Sequence, residues 1–479
     1  MSINFNFTQK VLPKIQINVG ALLDIPTADL LTGAKGETIY NGGIGQVTAI
    51  VGRGNTYKST IMHYMILSAA DKINAVTPTA IATYDTETNI KLNRLQSFAN
   101  NFEHLPDDMF NGDSTVWSVV DKNNMAGNEW ALEIQKYADA KAADKKNLIK
   151  LPTFKNPYTN DALEVLVPSF VEIDSLTEFE AASTMEMLSK DLDSSDTNTF
   201  AMKQGLFKSK FLAQLPTLSN KANIYIGVTA HVGDKIDMGA SPYAPKPAKE
   251  LQFLKQGDNI KGVGSKFSFL TNHAWITHTP SVLMNQTTKG PEYPLTNDEC
   301  VKCDLNVVMI TMLRSKTGPS GITIPLVVSQ IEGVLPSLTE FHFIKENGRY
   351  GLEGNNVNYH LALYPDCNLS RTTVRGKLNS DPLLRRAMNI TAELLQLEIY
   401  HPELKVENLL CTPAELYEDI KKLGYDWNVL LNTRGYWTID QYTNKVPYLS
   451  TVDLLKMRAG KYVPYWLESK KSKDTKGEK

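Results

Sequence analysis

The stretch Gly45-Gln46-Val47-Thr48-Ala49-Ile50-Val51-Gly52-Arg53-Gly54-Asn55-Thr56-Tyr57-Lys58-Ser59-Thr60 restricts what this chain can fold into more than any other. Val47 to Val51 is a short apolar, β-branched run between glycines, the pattern of a buried strand. A turn holding Gly52 and Gly54 follows, and then Ile61-Met62-His63-Tyr64-Met65-Ile66-Leu67, which has helical spacing. Strand, glycine turn and helix together present backbone N–H groups and a helix N-terminus to a phosphate. Gly52 to Ser59 matches the phosphate-loop pattern G-x-x-x-x-G-K-[ST] at its first Gly, at Lys58 and at Ser59. Tyr57 stands in place of the second Gly, so its side chain must point away from the phosphates. The expected nucleotide contacts are therefore Gly52, Arg53, Gly54, Asn55, Thr56, Tyr57, Lys58, Ser59 and Thr60. Lys58 would meet the β- and γ-phosphates, and the Ser59 hydroxyl would be a Mg²⁺ ligand.

Two further strands end in acids. Pro78 to Tyr84 leads to Asp85-Thr86-Glu87, and Ser169-Phe170-Val171-Glu172-Ile173 leads to Asp174. Strands alternating with helices make a parallel α/β sheet, whose ligands bind at the carboxyl ends of the strands. Asp174 thus fits a carboxylate that holds Mg²⁺ through water opposite Ser59. Glu87 fits a group that orients the attacking water, or an acid complementing a helix N-terminus.

Elsewhere the sequence sets expectations of organisation. A small helical portion is expected near Ile25 to Gly36. Residues 99–165 read as a polar insertion, with a helical piece over Ala138 to Lys150 and a β-hairpin around Asn156-Pro157-Tyr158-Thr159-Asn160. A helix over Phe200 to Leu215 should stop at Pro216, and a strand over Asn223 to Ala230 should end at His231. From Val232 to Phe267 the chain is polar and rich in Gly and Pro, and so long a loop is functional or disordered. Lys203 to Lys266 holds ten Lys against Asp234, Asp237, Glu250 and Asp258, although the whole chain is net −2. With Tyr243, Phe253 and Phe267 interleaved, this composition suits single-stranded nucleic acid or, equally, a solvated surface loop. Residues 355–479 read as a mostly helical appendage whose Thr412-Pro413-Ala414-Glu415 is a capping box, ending in a basic tail. Cys300 and Cys303 form a lone CxxC, better read as free thiols than as a zinc site. The absence of a long apolar run or signal-like start points to a soluble, cytoplasmic protein.

The order of these elements resembles the RecA-type recombinases, most closely the UvsX-like branch of tailed bacteriophages. Thr38 to Gly43 before the turn, the aromatic Tyr57 before Lys58, Tyr84 to Glu87 and Ile173-Asp174-Ser175 carry the resemblance. So do His231 at a strand end, Gly262 to Phe267, and Leu313-Arg314-Ser315-Lys316. It covers roughly residues 30–345 without the insertion. It implies an α/β, RecA-like P-loop ATPase core at 36–350 with a mostly parallel central sheet, and an N-terminal segment, 1–35, that could serve oligomerisation. A mainly helical domain at 351–466 and a basic tail at 467–479 complete the expected organisation.

By function, the resemblance implies a DNA-dependent ATPase using ATP and Mg²⁺. Such a protein forms a helical filament on single-stranded DNA, with ATP between subunits, and exchanges strands with double-stranded DNA. Mediator and single-strand-binding proteins are possible partners, and no membrane is involved. Glu87 and Lys58 would be catalytic, His231 would sense the γ-phosphate, and Arg314 and Lys316 would reach the neighbour's ATP. DNA contacts are expected from Lys203, Lys246, Lys249, Phe253, Lys255, Lys261, Gly262, Gly264 and Lys266. A hexameric RecA-core helicase and a nucleotide-regulated mediator or structural protein are the rival expectations.

Overall fold

Six segments that alternate apolar side chains to both faces align in parallel, because the chain between each and the next is long enough to cross back. The computed structural model describes residues 11–111, 116–182, 194–234, 251–263, 266–295, 303–355 and 357–467. Across the sheet these strands run His273–Thr277, Val47–Gly52, Ile224–Asp234, Ser169–Asp174, Ile81–Asp85 and Trp117–Asp121. Leu305–Ser315, Thr323–Ser329 and Gly333–Val334 add to the His273–Thr277 side as antiparallel neighbours. The protein is thus an α/β fold with a large, mostly parallel central sheet.

Strand alternation divides the core in two. Ile50 faces one apolar cluster, shared with Met62, Met65 and Ile66 of the helix Lys58–Asn74. Val47, Ala49 and Val51 face the other, where the helices Gly127–Ala143 and Ser194–Ala222 supply Trp130, Leu212, Leu215 and Leu218. The helix Pro382–Tyr400 joins the first cluster through Leu384, Met388 and Leu394. Its Gln396 amide donates to the Leu22 carbonyl at 2.9 Å, and the Asp453 carboxylate accepts the Thr38 N–H at 2.8 Å. The C-terminal helices are therefore built into the same core as the strand leading to the Gly52 turn. The expected capping box is present there. Thr412 and Glu415 bond reciprocally, and Ser450 caps the helix Thr451–Arg458.

Five local expectations need correction. Near Ile25 only a three-residue 3₁₀ turn forms. Asp29–Thr32 then pairs with Thr38–Asn41, because Gly36 at φ +86° closes a turn between two extended runs. Within 99–165, Trp117–Asp121 is the outermost parallel strand of the central sheet, so that stretch is not wholly an insertion. The helix there spans Gly127–Ala143, and Leu148 already starts the expected hairpin, Leu148–Lys155 with Ala162–Leu166. Pro216 lies inside the helix Ser194–Ala222. Burial of Leu212, Leu215 and Leu218 on one stripe outweighs the single hydrogen bond that proline removes. Finally, the strand from Ile224 does not end at His231. It continues to Asp234 and is paired there by Asp258–Ile260. Among the described residues no helix is long and apolar enough to cross a membrane.

Candidate functional site

The parallel strands bring their carboxyl ends to one edge of the sheet, and strand register puts the chemistry there side by side. Gly52 is level with His231 on one neighbour and with Thr277 on the other, and Asp85 is level with Asp174. A cleft of about 730 Å³ opens along this edge, with Lys58, Ser59, Glu87, Asp174 and His231 in its wall.

Gly52 turns the chain where no side chain fits. A Cβ there would lie 2.0 Å from the Thr277 hydroxyl and 2.8 Å from that of Thr56. Those two hydroxyls are bonded to each other at 2.6 Å, fixing the turn to the neighbouring strand. Tyr57 adopts φ +61°, a left-handed conformation costing a non-glycine residue about 1 kcal/mol. Its hydroxyl accepts a 2.9 Å hydrogen bond from the Asn306 amide, so the ring is anchored to the Leu305–Ser315 strand, as an outward-pointing side chain requires. The helix then starts at Lys58. Its first internal bond is from the Ile61 N–H to the Tyr57 carbonyl, which leaves the N–H groups of Lys58, Ser59 and Thr60 at the helix end.

Side chains converge in front of that end. The buried Lys58 ammonium donates to the Arg53 carbonyl at 2.8 Å. Burial lowers its pKa, and the Asp174 and Glu87 carboxylates act against that. The Ser59 hydroxyl donates to Asp174 Oδ1 at 2.9 Å, and the Thr229 hydroxyl donates to the same oxygen at 2.5 Å. Glu87 Oε1 lies 2.7 Å from His231 Nε2, and Glu87 Oε2 accepts from the Asn89 amide at 3.1 Å. The hydrogen bond to His231 holds the Glu87 carboxyl below its ordinary range, against the effect of partial burial. Glu87 is thus a carboxylate at neutral pH. Asp85 has a structural task, accepting the N–H groups of Glu87 and Ile90 and so shaping the turn that carries Glu87.

The donor set bears on a metal. Among the described residues no three His, Cys, Asp or Glu side chains form a chelating group. One hydroxyl and one carboxylate, Ser59 and Asp174, are what the protein offers. Both are oxygen ligands suited to a hard cation that keeps waters and takes its remaining ligands from a substrate's phosphates. The residues present fit Mg²⁺ bound together with a polyphosphate.

The remaining expected site residues divide. Arg314 and Lys316 do not join the cleft. Arg314 pairs in register with Ala274, and the Lys316 N–H donates to the Asn272 carbonyl, at the end where the parallel strands begin. At about 3.3 Å per residue those positions are roughly 10 and 16 Å along the sheet from Gly52, respectively. The Arg314 guanidinium lies over the Phe269 ring at 5.9 Å. Among the DNA-contact candidates, Lys255 and Lys261 are exposed beside the hairpin formed by Val232–Asp234 and Asp258–Ile260. Phe253 is 40% exposed and covers Gly321. Gly262, at φ +69°, turns against the Thr177 carbonyl. Lys203 is exposed on the helix Ser194–Ala222, and Lys266 begins the helix Lys266–Leu270. Lys246, Lys249, Gly264 and Cys300 lie outside the described residues, while Cys303 is a free thiol.

Sequence reasoning missed several hydroxyls that organise this edge. Thr177 accepts the His231 N–H at 2.9 Å and donates to the Lys261 carbonyl at 3.1 Å, while the Lys261 N–H reaches the His231 carbonyl at 2.7 Å. Thr229 and Thr277 read in sequence simply as strand formers, so only their position at strand ends could have singled them out. A buried pair also escaped notice: His63 Nε2 sits 3.3 Å from Glu172 Oε1, one side-chain layer beneath Asp174. Neither a scan against protein-family models nor a search of curated proteins finds a match to this chain.

Proposed function

We propose that this protein is an ATP-hydrolysing DNA strand-exchange protein with a RecA-like P-loop core, working as a helical assembly on single-stranded DNA. The observation carrying the nucleotide part is the convergence on one sheet edge of a helix N-terminus, a buried lysine, a serine–aspartate pair and an ionised glutamate bonded to a histidine. The resemblance to the recombinases and the basic hairpin beside His231 support the DNA part.

On this reading the Lys58 ammonium leaves the Arg53 carbonyl for the β- and γ-phosphates, and the N–H groups of Lys58 to Thr60 hold phosphate oxygens. Ser59 and Asp174 would hold Mg²⁺, which would supply positive charge to offset that developing on the phosphates. Glu87, kept ionised by His231, orients water for attack on the γ-phosphorus. His231 shares its backbone bonds with Thr177 and Lys261, so a shift of its ring on γ-phosphate binding reaches the hairpin directly. Arg314 and Lys316, far from the cleft of their own chain, serve the triphosphate of the next subunit. Head-to-tail contacts of that kind do not need to close, and they generate helices.

Negative-stain imaging with single-stranded DNA, Mg²⁺ and a slowly hydrolysed ATP analogue tests the reading. Long helical fibres are expected, and closed six-fold rings would replace this proposal with a hexameric motor. In the same preparation Glu87→Gln should bind nucleotide but lower DNA-stimulated turnover by 10² or more, about 3 kcal/mol in barrier. Unchanged turnover would remove Glu87 from the chemistry.

A further inference from the structure

Arg53 touches two systems at once. Its carbonyl accepts both the Lys58 ammonium and the Thr56 hydroxyl, each at 2.8 Å. Its guanidinium Nη2 donates to Asp234 Oδ1 at 2.7 Å and to Asp258 Oδ1 at 3.0 Å. The two aspartates are direct cross-strand partners in the hairpin Val232–Asp234 with Asp258–Ile260. Like charges directly opposite each other in an antiparallel pair are destabilising, and a cation between them offsets that repulsion. The Asp258 side chain is 8% exposed, so water screens it poorly and its need for a partner is acute.

We infer that Arg53 is a positioning residue that clamps this hairpin shut through Asp234 and Asp258, and that a triphosphate at Lys58 releases the clamp. The inference rests on the nucleotide reading given above. When Lys58 turns to phosphate, the Arg53 carbonyl loses one of its two donors and the turn is free to re-form. A polyanion in the cleft also competes with the aspartates for the Arg53 guanidinium. Asp234 and Asp258 are then left facing each other, and their repulsion loosens the outer end of the hairpin whose inner end carries His231 and Lys261. Nucleotide state would thereby reach a candidate DNA-contact surface by a second route, separate from the His231 ring.

Hydrogen exchange on the full chain, read at residues 231–234 and 258–261, tests this, with calorimetry of the Mg²⁺-bound ATP analogue run in parallel. In the natural protein the analogue should accelerate exchange there about fivefold. Asp234→Asn with Asp258→Asn should bind the analogue and show no acceleration, because neutral side chains need no clamp. Arg53→Gln should exchange fast with or without nucleotide, and adding the two Asn substitutions should slow it again. Nucleotide binding without faster exchange, or an Arg53→Gln hairpin as protected as the natural one, would overturn the inference. Failure of the natural protein to bind the analogue would instead overturn the nucleotide reading, leaving the Arg53→Gln comparison to judge the clamp.

Discussion

Gly52→Ala should damage this protein far more than Gly54→Ala, although the two glycines stand two residues apart in one turn. The new Cβ at position 52 would lie 2.0 Å from the Thr277 hydroxyl, well inside any real contact. Relief requires moving the turn away from the strand His273–Thr277, which breaks the 2.6 Å bond between Thr56 and Thr277. Overpacking of this kind costs about 1–3 kcal/mol, and the lost buried hydroxyl bond adds about 1 kcal/mol. At about 2.1 cal/mol/K per residue, the unfolding entropy of 479 residues is about 1 kcal/mol/K. A loss of about 3 kcal/mol therefore lowers Tm by about 3 °C. Nothing lies within 4 Å of a Cβ at Gly54, so Ala there should leave Tm unchanged or slightly raised. Adding Thr277→Ala to Gly52→Ala removes the obstructing oxygen and should restore at least half of the loss. Differential scanning calorimetry of the four proteins, with nucleotide titrations alongside, gives the answer. If Gly52→Ala and Gly54→Ala melted within about 1 °C of each other, the argument for a sterically closed turn would fail.

Two other expectations follow from particular residues. Lys141 is buried, donates to the Ser169 hydroxyl at 2.7 Å, and is lowered by burial from 10.5 to about 7. The unfolded chain binds the proton that the folded one releases, so between about pH 7 and 10.5 this group makes stability rise with pH. Lys141→Met should flatten that rise and raise Tm at neutral pH, and a pH series of melts in which both proteins keep the same slope would refute it. Arg314→Ala and Lys58→Ala should each abolish DNA-stimulated ATP turnover. Mixing them should recover part of it, because some subunit pairs then combine an intact Lys58 with an intact Arg314. A mixture as inactive as its components would place Arg314 outside the neighbour's site.

Much of the candidate site was legible because each strand there is a short apolar run stopped by one conspicuous residue. Gly52, Asp85, Asp174 and His231 were all placed in this way, and parallel register did the rest. The Tyr57 side chain could be directed outward because a phosphate cradle leaves it nowhere else to go, and Asn306 is the partner it finds. What escaped the sequence depends on partners distant along the chain. Asp258-Asn259-Ile260 has no strand pattern of its own and becomes a strand only by lying beside Val232–Asp234. Pro216 reads locally as a stop, and only the stripe formed by Leu212, Leu215 and Leu218 against the sheet overrides it. Trp117–Asp121 was obscured by polar neighbours on both sides, although Trp117 itself is among the most deeply buried side chains.

The bonds from the late helices to the first strands bear on how the molecule is made. Thr38 receives its Asp453 partner only from a residue synthesised 415 positions later, and Gln396 reaches back 374 positions to Leu22. An emerging polypeptide must carry Ile39 and Tyr40, both wholly enclosed in the finished molecule, without their cover for most of its time on the ribosome. The approach to the Gly52 turn is thereby completed near the end of synthesis, and a half-made chain has no finished cleft at the sheet edge.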